Sequence, residues 1–202
     1  MDFCLCLNTL DIAPALLSWN KHLSSIISEP QKIPKFQTVC QFCVENELIM
    51  NIELKTTDDG KVLLECLLPI LDDLDPDFKY SRISSFNNEI LWEVQKLRPK
   101  IPVGALFNHG ISRSEGKTER ELTPCDFVQK LRPHMDSANL CAETVTKEEI
   151  ACAKKANVKV LAWFPGVPDG PEDLAKFREL EKLGVDVLCT NRPDIAIMDY
   201  KK

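Results

Sequence analysis

Glu53 and Lys55 are the residues of this chain best spaced to do chemistry together. They close the run Asn51-Ile52-Glu53-Leu54-Lys55, a strand-like stretch with apolar residues at alternate positions. Residues at i and i+2 of a strand point to the same face. A carboxylate and an ammonium therefore share one face at a strand end. An anion beside a cation suits a place where a divalent metal and a phosphate meet. The plain alternative is a structural ion pair. No His-rich or acidic motif precedes this strand, and hydrolytic chemistry usually needs one.

Other reactive types are sparse. The three histidines are His22, His109 and His134. His109 follows an apolar run ending at Phe107, so it belongs near a strand end and could serve as an acid or base; a solvated loop histidine is the commoner case. Cys40-Gln41-Phe42-Cys43 has metal-like spacing, but no second pair or nearby His completes a four-ligand zinc site. The redox version of that spacing starts a helix after a strand, whereas this pair falls mid-helix, so it reads as buried packing. Arg113, Lys117 and Arg120 alternate with Glu115, Glu119 and Glu121, which makes a solvated mixed loop rather than a nucleic-acid patch.

The elements that position these residues follow from composition and periodicity. The chain has 202 residues, 44% of them hydrophobic and 28% charged, enough for one sizeable core. Net charge is −6 and pI about 5.2. That balance argues against a nucleic-acid partner, while a local cationic pocket still suits an anionic ligand. No apolar run approaches the ~18 residues of a membrane span. Met1 to Leu10 is apolar but carries Asp2 where a signal peptide has Lys or Arg, so the expected location is cytoplasmic. Nine scattered cysteines are then expected to be reduced and mostly buried.

Residues 1–32 read as an irregular segment with one helix around Leu16. From Ile33 onward the chain alternates. Helices are expected at Lys35 to Asn46, Lys61 to Leu74 despite Pro69, Asn88 to Leu97, Thr123 to Leu131, Thr146 to Ala156 and Pro171 to Leu183. Thr146 with Glu149 spells a capping box. Strands are expected at Leu48 to Lys55, Tyr80 to Phe86, Pro102 to Phe107, Ser137 to Cys141, Val158 to Phe164 and Val185 to Thr190. Six strands alternating with helices predict βαβ units and a parallel sheet. Apolar runs such as Val158 to Trp163 fit strands covered on both faces.

Four blocks together resemble the glycerophosphodiester phosphodiesterases. They are Ile33-Pro34 with the Asn51 to Lys55 strand; Ser84-Ser85-Phe86-Asn87 followed by Leu97-Arg98-Pro99 and Ile101 to Phe107; Val158 to Trp163; and Leu183-Gly184-Val185-Asp186-Val187-Leu188-Cys189-Thr190-Asn191-Arg192-Pro193. Their order and spacing are similar to the C-terminal two thirds of that family. The resemblance implies a TIM barrel with its site at the C-terminal strand ends. The six strands would be strands three to eight of a (β/α)8 barrel, with the first two missing. The chain would divide into an N-terminal segment, 1–32, and an incomplete barrel, 33–198. Two sheet edges would lie open, inviting a homo-oligomer.

By the same resemblance the activity is hydrolysis of a glycerophosphodiester to glycerol 3-phosphate and an alcohol. Glu53 would be a ligand of a divalent metal (Ca²⁺ or Mg²⁺), Lys55 a phosphate contact, Trp163 the glycerol-side wall and Phe86 a residue at the strand mouth. The family's His-Arg-Gly, Glu-x-Asp and His-Asp motifs have no counterpart here. No catalytic acid or base is therefore assigned, and a weak metal site with slow or absent turnover is expected. A non-catalytic barrel acting as a binding or interaction module is the alternative. Another phosphate-binding barrel of unrelated chemistry is a third reading.

Overall fold

The computed structural model describes residues 2–6, 34–55, 60–107, 135–165, 172–193 and 195–196. His22, His109, His134, the Arg113 to Glu121 charges and the helix expected at Thr123 to Leu131 lie outside them.

The elements are β1 (Asp2–Cys6), α1 (Phe36–Glu45), β2 (Met50–Glu53), α2 (Gly60–Leu74), β3 (Ser81–Ser85), α3 (Asn88–Leu97), β4 (Val103–Leu106), β5 (Ser137–Cys141), α4 (Lys147–Lys155), β6 (Lys159–Trp163), α5 (Leu174–Leu183) and β7 (Val187–Cys189). Their ends carry local signals. The Asn87 side chain accepts from the Glu89 and Ile90 amides to start α3. Thr146 and Glu149 form the capping box of α4, with Glu149 Oε2 accepting from the Thr146 amide at 2.8 Å. Asp173 caps α5, and Gly184 ends it at φ 97°, a left-handed turn that glycine makes without strain. Pro69 is carried inside α2.

All pairings are parallel, and the strands close in the order β1 to β7. The six strands read from the sequence are β2 to β7, so the α/β barrel expectation holds. The open edges do not. Asp2–Cys6, read as part of an irregular segment, is a strand that pairs with β7 through Asp2↔Val187 and Cys4↔Cys189, and with β2 through Cys6↔Asn51. Both edges that motivated a homo-oligomer are thus covered within the chain. Paired edges offer no unsatisfied backbone row to another copy.

Alternation along each strand separates two interiors. Met50, Leu54, Ile83, Val103, Ala105, Ala138, Leu140, Val160, Ala162 and Leu188 belong to one buried hydrophobic cluster that also includes Leu71, Leu91, Val94, Ile150, Phe177 and Leu180 from the helices. These strand positions therefore face outward, under the helices. The intervening positions face the barrel interior. They include Asn51, Glu53, Ser84, Gly104, Leu106, Asn139, Cys141, Leu161, Trp163 and Cys189.

Acidic side chains tie down the N-terminal ends of the strands. Asp75 accepts from the amides of Lys79 and Tyr80 and from Ser81 Oγ. Asp136 accepts from the Val103 amide at 2.8 Å. Asp186 accepts from the Val160 amide and pairs with Lys154.

Outside the barrel, Asp72 and Arg98 join α2 to the end of α3 through two bonds, Nε to Oδ1 at 2.8 Å and Nη2 to Oδ2 at 2.5 Å. The Arg98 guanidinium holds the Asp72 carboxyl below its ordinary range. A depressed carboxyl stabilises the fold above its unfolded-state pKa, and that contribution disappears as pH falls through the lower folded-state value. Asp72→Asn is expected to lower stability near neutral pH by about 0.5–1 kcal/mol, given the partly exposed pair. Paired thermal melts should converge below the ordinary carboxylate range. A constant gap down to strong acid would assign the effect to packing instead.

The cysteines split. Cys40, Cys43, Cys66 and Cys141 are free thiols. Burial, then the neighbouring Cys43 and Asp75 charges, push the Cys40 thiol up to about 12. Such a thiol stays protonated at neutral pH and is inert, which agrees with the packing reading of Cys40 and Cys43. Cys152 is disulfide-bonded, against the expectation that every cysteine is reduced. Pairing depends on spatial approach, which spacing along the chain does not reveal.

Candidate functional site

Parallel strands put every C-terminal end at one mouth of the barrel, and the predicted residues lie at or just beyond those ends. Glu53 is the last residue of β2, in register with Ser84 of β3. Met50, Ile52 and Leu54 pack outward, so Glu53 and Lys55 take the inward face. Glu53 is half-buried and Lys55 exposed, as a gradient from barrel interior to rim requires. Two bonds hold this end in place. The Leu54 amide donates to the Ser84 carbonyl at 2.7 Å, and Ser85 Oγ donates to the Leu54 carbonyl at 2.7 Å.

Phe86 and Trp163 meet at the same end of the barrel. Phe86 follows β3 directly and Trp163 ends β6. Their rings meet edge to face, with centroids 5.7 Å apart and planes at 88°. The Trp163 indole Nε1 donates to the Phe107 carbonyl at 3.3 Å, which gives the buried polar end of the ring a partner and fixes its plane. Both aromatics are half-buried. Trp163 is thus not a residue of the core under the helices but an interior residue at the rim.

A latch shapes the rim beside them. Glu172, on the segment between β6 and α5, accepts from Thr190 Oγ1 at 2.6 Å, the Asn191 amide at 2.8 Å and Asn191 Nδ2 at 2.5 Å. It ties the connection that follows β6 to the one that follows β7.

Residue-type reasoning passed over two interior groups. Ser84 and Asn139 are fully buried polar residues on the inward face. The available signal was asparagine in mid-strand, a position where that residue is depleted.

The residue pattern of the Glycerophosphoryl diester phosphodiesterase family matches positions 7–195. The chain belongs to that family. A glycerophosphodiester phosphodiesterase from Caldanaerobacter subterraneus subsp. tengcongensis is 25% identical over 175 residues, covering 85% of this chain and 63% of the relative. The chain thus spans under two thirds of that enzyme's length. Among solved structures, a Galdieria sulphuraria protein assigned to the glycerophosphodiester phosphodiesterases superposes with a TM-score of 0.69 at 20% identity, over 89% of this chain and 70% of the other. A phosphodiesterase from Oleispira antarctica, solved with its product sn-glycerol-3-phosphate, superposes with a TM-score of 0.66 at 17% identity, over 84% and 62%. At those identities the likeness concerns the fold.

Glycerophosphodiester phosphodiesterases generally use a divalent metal, for which the sequence offered Glu53. Hard divalent cations take about six or more oxygen ligands. Among the described residues no group of three His, Cys, Asp or Glu side chains converges in a way that could hold a metal ion. The described residues therefore do not fit a metal site, and no step is routed through one.

No helix among the described residues is long and apolar enough to cross a membrane.

Proposed function

We propose that this barrel binds a glycerophosphodiester-type small molecule at its C-terminal mouth and turns it over slowly or not at all. The observation that carries the reading is the shared end of the sheet: Glu53 closing β2 with Lys55 two residues beyond, and the Phe86–Trp163 ring pair at the ends of β3 and β6. Lys55 takes the phosphate through a charge-assisted hydrogen bond. The half-exposed aromatic rings take the carbon skeleton of the glycerol end. Family membership supplies the ligand class.

Hydrolysis would yield glycerol 3-phosphate and an alcohol. Water attacks phosphorus, charge builds on the phosphoryl oxygens, and the alkoxide leaves with a proton. Electrostatic stabilisation of that charge and a positioned acid are both needed, the acid alone typically giving about 10²–10⁴-fold. The sequence has no counterpart of the family's His-Arg-Gly and His-Asp motifs, so no residue is assigned as that acid. This favours the second reading, a binding module of the same family, which also rests on the want of a three-ligand group among the described residues.

Two measurements decide between them. Turnover of glycerophosphocholine with Ca²⁺ or Mg²⁺, abolished in Glu53→Ala, establishes the enzyme. Absent turnover with calorimetric binding of sn-glycerol 3-phosphate establishes the module. Lys55→Ala is expected to weaken that binding about 10- to 100-fold, the worth of one charged hydrogen bond. No binding and no turnover would remove both readings, and turnover unchanged in Glu53→Ala would move the chemistry to another site.

A further inference from the structure

The inward face of the strands contains two buried polar side-chain atoms whose needs no protein group meets. Ser84 on β3 and Asn139 on β5 are each fully buried. They flank β4, where Gly104 is in register with Ser84 on one side and with Ser137 on the other. A Cβ at Gly104 would stand 2.8 Å from Asn139 Nδ2 and 2.5 Å from Ser137 Oγ, so the Asn139 amide fills the space in front of the glycine, the register neighbour of Ser84. Ser137 Oγ donates to Asn139 Oδ1 at 2.9 Å. Asn139 Nδ2 and Ser84 Oγ have no hydrogen-bond partner.

Exchanging the two amide atoms does not relieve the problem. Ser137 would then accept from Nδ2, and the carbonyl oxygen would lose its donor. Groups buried this deeply are almost always satisfied, and internal water is the usual partner. We propose that the barrel holds one internal water molecule between Asn139 Nδ2 and Ser84 Oγ, on the inward face of the strands. The chemistry selects water over an ion. An amide N–H donor repels a cation. An anion would lie beside Glu53, the register neighbour of Ser84, and like charges at close range repel. Water accepts from the amide and either donates to or accepts from the hydroxyl. The site gives Gly104 its role, since any larger side chain there would displace the Asn139 amide.

The test needs no ligand. In the wild-type protein, the Asn139 side-chain amide protons should show nuclear Overhauser contacts to a long-lived water. Ser84→Ala should lower Tm by about 2–4 °C, because it strands the amide and its water. A wild-type protein with no such water contact overturns the proposal. So does a Ser84→Ala melt that is unchanged or raised, since deleting a truly unpartnered buried hydroxyl relieves its desolvation. If Ser84→Ala fails to fold, the wild-type measurement decides alone.

Discussion

Truncating Phe177 to alanine is expected to cost about 3–5 kcal/mol, the range for removing a buried aromatic from a packed core. Phe177 lies on the inner face of α5, 2% exposed, and meets Phe164 edge to face at 5.6 Å. Phe164 directly follows Trp163, so α5 braces from outside the strand whose last residue walls the mouth. The loss therefore reaches the site: the near-ultraviolet signal of Trp163 should weaken before global unfolding. Urea denaturation measures the cost. A loss under about 1 kcal/mol would mean that the helix repacks and that β6 does not depend on it.

Placing valine at Gly104 should come next in size. Even a Cβ there would lie under 3 Å from two side chains. Ser137 Oγ is a short arm on a buried strand and Asn139 is enclosed, so neither can withdraw. Overpacking of this kind costs about 1–3 kcal/mol, occasionally more, and Gly104→Ala should show the lower end. Shortening the neighbour tests the cause: Gly104→Ala combined with Ser137→Gly should recover part of the lost Tm. Additive losses in that double variant would show that the clash is not with Ser137.

The helices and most strands of this barrel could be read from periodicity. Asn87, Thr146 and Asp173 cap their helices from positions a local pattern exposes. The outward sets on β2 to β7 are the apolar half of each alternation. Asp2–Cys6 escaped that reading because five residues carry too little pattern. What makes them a strand is pairing with residues about 45 and 185 positions away, a non-local gain that no window contains.

The same division holds at the site. Local order along the chain was enough to place Glu53 and Lys55 on one face of a strand end, because a pleated strand alternates its side chains whatever surrounds it. It was also enough to specify a parallel α/β chain, because strands joined through helices have one favoured handedness. Closure of the ring, the meeting of Phe86 with Trp163 and the crowding over Gly104 were decided only by tertiary structure. Each depends on the register and tilt that bring separate strands around to face one another, and those quantities arise from the assembled barrel rather than from any one segment.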